Sequence, residues 1–557
     1  MNTQKIVIVG GVAGGASCAA RSRRLSEEAE IIMIERGPFV SFANCGLPYF
    51  VGEVIKEEED LLVASPEIFR DRFNIDVRIQ SEVTKIDREK KLVTIRNMST
   101  GKTYEESYDS LVLSPGAAPL RPPLKGIDHP SVFTVRNIPD IRSIKEMTGN
   151  GQAKSAVVVG GGFIGLEMAE NLHAVGISVS VIEMAEHVMP VLDREMATMV
   201  NEHLDSMHVD LYLGSAVQSF ENGPDNKPVV NLASGEKIPT DIVIMAIGVR
   251  PETSLAKAAG LDLGPRGGIA VDGFMRTNAP HVFAVGDAVE VDGFVMGGKR
   301  LIPLAGPANR QGRLVADVIL GKEEPKPFRG TQGTAVCGVL GMTVACTGET
   351  EKSLGMLAKE GKGIEYEKVY SHPFSNATYY PGAQQMSFKL IFAKEDGRIL
   401  GAQAVGLKGV EKRIDVVAMA IQMGGTVFDL EEAELCYAPQ YGSAKDPVNM
   451  AGMIAANVLR GLSKIVHWNQ LPDFKGMLID VRDPEEYATG YAEGAINMPL
   501  ETLRQNLDKL PKDQEIWAYC YVSQRAYFAE RILTQNGFNA KTVSGGILSY
   551  WAADADA

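Results

Sequence analysis

Two copies of one pattern limit what this chain can fold into. Residues 5–9, Lys-Ile-Val-Ile-Val, form an apolar run that ends at Gly10-Gly11-Val12-Ala13-Gly14-Gly15; an Ala-rich stretch follows, and a second apolar run over 31–34 closes on Glu35. The order predicts a buried parallel strand, a tight turn, a helix and a second strand. Glycines in the turn let backbone N–H groups approach a pyrophosphate at the helix N-terminus. Glu35, 20 residues beyond Gly15, is spaced to accept both ribose hydroxyls of an adenosine. Val12 takes the middle glycine position of the usual G-x-G-x-x-G. The pattern returns in purer form at Val157-Val158-Val159-Gly160-Gly161-Gly162-Phe163-Ile164-Gly165, with a strand over 178–182 ending in Glu183. Two such units predict an α/β chain with two Rossmann-like dinucleotide-binding domains, hence two dinucleotides. Met184, Ala185 and Glu186 follow Glu183, with no Arg or Lys for a 2′-phosphate, so electrostatics favour NADH over NADPH.

At 557 residues the chain is too long for one core, and its length suggests three or four domains. With 45% hydrophobic residues, 23% charged and 57 glycines, the composition is that of a soluble Gly-rich α/β enzyme. A formal charge of -14 argues against a general nucleic-acid surface. The N-terminal apolar run is only a strand's length, and no later run approaches a membrane span, so no signal peptide and a cytoplasmic location are expected. Cysteines 18, 45, 337, 346, 436 and 520 lack metal-ligand spacing; no metal site is expected, and a reducing compartment would keep them as thiols.

Two shorter segments, Leu113-Ser114-Pro115-Gly116-Ala117 and Ala284-Val285-Gly286-Asp287-Ala288, each end an apolar strand. An Asp placed there after a glycine reaches a ribityl hydroxyl. With both segments in place, the chain resembles the flavoprotein disulfide reductases that carry FAD on one dinucleotide fold and nicotinamide on an inserted second. The resemblance implies an FAD domain over 1–118 and 246–328, an NAD domain over 119–245 and an α+β dimerisation domain over 329–462. The stretch 244–251 is similar to the family's strand returning from the insert. The implied cofactor positions are Gly10, Gly11, Val12, Ala13, Gly14, Glu35, Arg36, Asn44, Ser114, Gly116, Gly160, Gly162, Phe163, Ile164, Gly165, Glu183, Gly248, Gly286, Asp287, Pro303, Leu304 and Ala305.

The stretch Val40-Ser41-Phe42-Ala43-Asn44-Cys45-Gly46-Leu47-Pro48-Tyr49 carries one cysteine, and the next is Cys337. Reductases with an internal redox pair keep two sulfurs close in sequence. Cys45 is therefore expected to work alone with the flavin, its disulfide partner coming from substrate or a carrier thiol. The pattern resembles coenzyme A-disulfide reductases and their persulfide-reducing relatives. NADH oxidases and peroxidases share the lone cysteine, so a sulfenic-acid cycle stands as the alternative. Arg21, Arg23 and Arg24 lie on the first helix, where side chains three apart share a face suited to CoA phosphates. By resemblance Ser17, Arg21, Arg24, Ser41 and Asn44 line the CoA cleft, with Asn309 where some relatives have His, and Lys445 reaches a CoA phosphate from the partner subunit. The same resemblance implies a homodimer with shared active sites, in which Tyr379 and Tyr437 reach the partner's redox cysteine. Tyr380 is the alternative to Tyr379. A phenol bonded to a leaving thiolate stabilises it or supplies its proton.

The last segment, 463–557, contains Leu478-Ile479-Asp480-Val481-Arg482-Asp483-Pro484-Glu485-Glu486-Tyr487, then a strand that delivers Cys520 into Tyr521-Val522-Ser523-Gln524-Arg525 and an amphipathic helix. Converging N–H groups and Arg525 are expected to lower the Cys520 thiol pKa and to bind an anionic sulfur group. The segment resembles an α/β rhodanese with Cys520 as persulfide carrier. Ser523 replaces a glycine common in that loop, and Tyr491 stands where rhodaneses often have His. Together these features imply a cytoplasmic, homodimeric, NADH-using FAD enzyme. It reduces CoA persulfide, polysulfide and CoA disulfide at Cys45 while Cys520 relays sulfane sulfur, with a sulfur-donor protein as a further partner and neither nucleic acid nor membrane. The alternatives are an NADH oxidase or peroxidase, or mainly a sulfurtransferase.

Overall fold

A computed structural model describes residues 4–321, 323 and 325–554. Strand Lys5–Val9 is the centre of a five-stranded sheet ordered Val282–Ala284, Ser110–Leu113, Lys5–Val9, Glu30–Ile34, Asp76–Arg78, with every pairing parallel. A sheet covered on both faces explains the unbroken apolar run: Ile6, Val7 and Ile8 are wholly buried. Helix Ala13–Leu25 makes the crossover between the first two strands. The second copy repeats this plan. Its parallel sheet runs Asp210–Tyr212, Ser178–Ile182, Ser155–Val159, Ile242–Met245, Val132–Thr134, with helix Phe163–Ala174 after the glycine turn.

The returning strand expected over 244–251 is broken into two strands, Ile242–Met245 and Val249–Pro251. Gly248 takes φ +114°, a left-handed conformation that ends the first strand and turns the chain so that Val249–Pro251 pairs antiparallel with Ala117–Pro119.

Met1–Glu186 with Val209–Gly333 form one compact unit, and His187–His208 with Thr334–Ala557 form a second. The second unit holds a five-stranded antiparallel sheet in the order Ala335–Val339, Met342–Gly348, Ile399–Gly406, Met386–Ala393, Tyr366–Ser371. It also holds a five-stranded parallel sheet in the order Ile465–Val466, Asn539–Val543, Glu515–Tyr519, Met477–Asp480, Ile496–Asn497. Among the described residues, no helix is long and apolar enough to cross a membrane.

Helix Arg194–Ser206 is fastened into this second unit by a buried charge cluster. Lys389, fully buried, lies between Asp193 at 2.7 Å, Glu351 at 2.6 Å and Glu195. Its cross-strand neighbour Gln403 donates to Asp193 at 2.6 Å and accepts from the Asp193 N–H at 2.8 Å. Burial alone would raise the Glu195 carboxyl, but the Lys389 ammonium and the Tyr370 hydroxyl bring it down to about 2. Lys389→Met would leave buried carboxylates unpaired and is expected to destabilise the second unit by about 3–5 kcal/mol in urea unfolding. A folded-state pKa near 2 against the ordinary 4.5 means that Glu195 contributes full stability above pH 4.5, losing it as pH falls through about 2. Urea midpoints measured down that pH range should fall in the wild type and less in K389M.

Candidate active site

Gly10 takes φ +97°, and a Cβ there would stand 2.0 Å from the Ser114 carbonyl; a Cβ on Gly15 would stand 1.9 Å from the Gly10 carbonyl. These two glycines permit backbone crossings that no other residue allows. Helix Ala13–Leu25 starts at Val12 and helix Phe163–Ala174 at Gly162; neither has a side-chain cap or an acidic residue in its first turn. Their first N–H groups suit a phosphate.

The two acids at the second-strand ends do the same work twice. Glu35 accepts from Gly11 N–H at 2.9 Å and Gly37 N–H at 2.8 Å. Glu183 accepts from Gly161 N–H at 2.7 Å and Ala185 N–H at 2.8 Å. Each carboxylate braces its own glycine turn, and each oxygen has a second lone pair for a ribose hydroxyl. Arg36 pairs with Glu252 at 3.2 Å, which also holds Arg136 at 2.7 Å. Ser114 and Gly286 lie close together: a Cβ on Gly286, itself at φ +82°, would be 3.7 Å from the Ser114 hydroxyl. Asp287, next to it, has its carboxyl raised by burial. Gly116 adopts φ +69°, and Pro303-Leu304-Ala305 lead into helix Ala305–Leu320, whose N-cap Leu304 contributes no side-chain bond. Gly312, which sequence reasoning missed, lets that helix meet the first: its Cβ would lie 2.1 Å from the Gly14 carbonyl.

Cys45 sits exposed in the short turn Asn44–Gly46, ahead of helix Leu47–Val51. Ser41, at φ +46°, donates its N–H to the Gly11 carbonyl at 2.7 Å, tying this turn to the first glycine loop. The Asn44 amide donates to the Arg136 carbonyl at 3.0 Å. Helix Leu47–Val51 packs on helix Phe163–Ala174, and a Cβ on Gly52 would collide with the Asn171 side chain at 2.1 Å. The second dinucleotide helix therefore backs onto the Cys45 turn. It carries Glu167, which the sequence reading also missed; the signal was an acid two residues after Gly165, among apolar helix residues. Burial, helped by the charge of Glu170, pushes Glu167 up to about 7. Partial burial, then Glu167 and Asp287, push the Cys45 thiol up, against its turn's own N–H.

The basic face of the first helix divides. Arg23 is buried and donates to five backbone carbonyls, of Ser26, Glu27, Ala29, Phe73 and Asn74, so it is structural. Arg21 is held by Asp317 at 2.7 Å, whereas Arg24 is exposed. The Ser17 hydroxyl bonds to Asn309.

In the second unit the Tyr379 and Tyr437 hydroxyls meet at 2.8 Å, and both side chains are exposed. That bond raises the Tyr437 phenol. Tyr380 is exposed beside them. Lys445 is exposed next to buried Asp446, which caps helix Pro447–Leu459 and pairs with buried Arg413 at 2.9 Å.

Cys520 lies buried at the end of strand Glu515–Tyr519. Ser523 adopts φ +71°, which accounts for the glycine common at that position, and its hydroxyl donates to the Val543 carbonyl at 2.8 Å. The expected lowering of the Cys520 thiol is reversed. Burial pushes it up, outweighing the N–H groups of Val522, Arg525 and Ala526 and the charge of Arg525. Arg525 is clamped by Glu486 through bonds of 2.6 and 2.7 Å. Tyr491 stacks on Tyr487 with centroids 4.3 Å apart.

This arrangement, two dinucleotide folds around a single exposed cysteine, defines a nicotinamide-linked flavoprotein oxidoreductase with an appended sulfurtransferase-type domain. The chain belongs to the pyridine nucleotide-disulphide oxidoreductase family, which matches residues 4–312; the family's dimerisation domain matches 334–446 and a rhodanese-like domain matches 465–553. The family is FAD- and NAD(H)-dependent. The chain is 35% identical over 455 residues to coenzyme A disulfide reductase of Staphylococcus haemolyticus, an alignment covering 82% of this chain and all of the relative. Among solved structures, reduced CoADR-RHD of Bacillus anthracis is 48% identical with a TM-score of 0.96, covering 100% of this chain and 99% of the other. An NAD-dependent persulfide reductase from A. fulgidus is 38% identical with a TM-score of 0.90, covering 98% and 100%.

Because the Glu167 carboxylate adds to burial in raising the Cys45 thiol, Glu167→Gln is expected to move the pH midpoint of Cys45 alkylation down. An unmoved midpoint would remove Glu167 from the site.

Proposed function

We propose that this chain is an NADH-dependent flavoprotein that reduces CoA persulfide, polysulfide and CoA disulfide at Cys45, while Cys520 relays sulfane sulfur. The observation that carries the reading is the exposed Cys45, tied through Ser41 to the first glycine loop and backed by the second dinucleotide helix, in a chain that also carries the buried loop Cys520 on a rhodanese-like fold. Relatives named coenzyme A disulfide reductase and NAD-dependent persulfide reductase support the substrate class.

The Cys45 thiolate attacks one sulfur of CoA disulfide, forming a Cys45–CoA mixed disulfide and releasing one CoA thiolate. The Gly10–Gly14 turn, Glu35 and Asp287 would hold FAD on the first fold, and bound FAD would supply the reducing equivalents of NADH needed to cleave the Cys45–CoA disulfide, leaving the Cys45 thiolate and a second CoA thiolate. The Gly160–Gly165 turn and Glu183 hold NADH. Glu183 already accepts two backbone N–H groups, and no cation follows it to pair with a 2′-phosphate. Ser17, Arg21, Arg24, Ser41, Asn44 and Asn309 line the CoA cleft. In a homodimer built on the dimerisation domain, the Tyr379–Tyr437 pair protonates or stabilises the leaving thiolate, and Lys445 meets a CoA phosphate. The enzyme works in the cytoplasm, where reducing conditions keep its cysteines as thiols.

Intact-mass analysis after mixing the oxidised enzyme with CoA disulfide should show one CoA adduct per chain, absent in Cys45→Ser. NADH-driven reduction in that variant should fall about a thousandfold. NADH should be preferred to NADPH by about tenfold or more. No CoA adduct, with a dimedone-trapped sulfenic acid at Cys45 instead, would replace this reading with the oxidase or peroxidase cycle.

A further inference from the structure

The floor of the Cys520 turn is the bend Ser544-Gly545-Gly546, where strand Asn539–Val543 gives way to helix Gly546–Asp554. Ile547 N–H donates to the Cys520 carbonyl at 2.8 Å. A Cβ on Gly546 would stand 2.5 Å from that carbonyl and 2.6 Å from the Tyr521 carbonyl. Any shift of this bend must therefore displace the backbone that presents the Cys520 sulfur.

Part of what holds the bend comes from its own domain: Trp468 Nε1–H donates to the Gly546 carbonyl at 2.7 Å. The rest comes from the antiparallel sheet of the dimerisation domain and the residue after its edge strand. Tyr370 N–H donates to the Ser544 hydroxyl at 3.1 Å. His372, buried, places Nε2 3.0 Å from the Gly545 carbonyl and 3.3 Å from the Ser549 hydroxyl. A carbonyl can only accept, so Nε2 carries the proton, and Nδ1 accepts from the Ser387 hydroxyl at 2.9 Å. Burial holds His372 down at about 4, so this neutral tautomer is the working form.

We propose that His372, a residue of the dimerisation domain, is a positioning residue for sulfur transfer at Cys520, fixing through the Gly545 carbonyl the bend on which the Cys520–Arg525 turn rests. The inference rests on the reading of Cys520 as a sulfur carrier. It makes the rhodanese-like domain dependent on the module to which it is fused.

The test uses the full-length, flavin-loaded enzyme and sulfur transfer from thiosulfate to cyanide. In this assay the Cys520 thiolate takes the outer sulfur of thiosulfate, releasing sulfite, and passes it to cyanide as thiocyanate, regenerating the thiolate. His372→Ala should lower kcat about tenfold with KM changed less than about threefold. His372→Gln, which keeps an N–H donor within reach of the carbonyl, should restore kcat to within about threefold of wild type. Iodoacetamide labelling of the Cys520 peptide should follow the same order, while NADH-driven turnover at Cys45 stays unchanged in both variants. A wild-type kcat in H372A, alongside abolished transfer in C520S, would overturn the positioning role and leave Cys520 as carrier. Wild-type transfer in C520S would instead overturn the reading of Cys520. Should H372A prove unstable, H372Q decides: with an unchanged melting temperature and a kcat lowered about tenfold, it would show that the hydrogen bond is not what positions the turn.

Discussion

The hydrogen bond from Ser41 N–H to the Gly11 carbonyl ties the Cys45 turn to the first glycine loop, and the proposed chemistry depends on that link. Gly11 is itself fixed by its N–H to the Glu35 carboxylate, so the acid, the glycine loop and the Cys45 turn form one continuous chain of hydrogen bonds. Ser41 reaches that carbonyl only by adopting a left-handed conformation, which costs about 1 kcal/mol for a residue bearing a Cβ. On the far side, Gly46 has no room for a side chain: a Cβ would lie 2.7 Å from Leu61. The Cys45 turn is therefore held from both sides, by the first glycine loop and by Leu61.

The same loop design appears twice with different surroundings. Glu35 and Glu183 each brace a glycine turn by accepting two backbone N–H groups, so the acid shapes the turn and keeps lone pairs for the proposed ribose. The first helix then packs at close range on helix Ala305–Leu320, which Gly312 permits. The second packs on helix Leu47–Val51. That difference brings Glu167 of the second fold near enough to Cys45 for its charge to add to burial in raising the thiol.

Local order was legible in the residues, while partners distant in sequence were not. Strands Lys5–Val9 and Ser178–Ile182 follow from apolar runs that only a sheet covered on both faces requires. The strand expected over 244–251 broke because the apolar run hid the left-handed turn at Gly248. In the candidate site, the glycine loops and the lone Cys45 could be read directly. The pairing of Arg21 with Asp317 could not, because 296 residues separate them and charge patterning on one helix says nothing of a second. Cys520 shows the other limit. Its loop donors were visible in the motif, but the degree of burial, which decides the direction of its pKa, is a property of the packed domain.

Two cysteines stand in contrasting settings, Cys45 exposed and Cys520 buried, and the proposed function gives them different work: electron exchange through a mixed disulfide at Cys45 and sulfur carriage at Cys520. The central claim is that both serve the reduction of CoA-linked sulfur. Its most direct test is anaerobic NADH consumption by the flavin-loaded enzyme with CoA persulfide, assaying hydrosulfide in the same vessel. The account predicts rapid turnover in which each NADH oxidised releases one hydrosulfide and one CoA thiol. Absence of turnover with CoA persulfide and CoA disulfide, together with NADH consumption on admitting oxygen or peroxide, would contradict it.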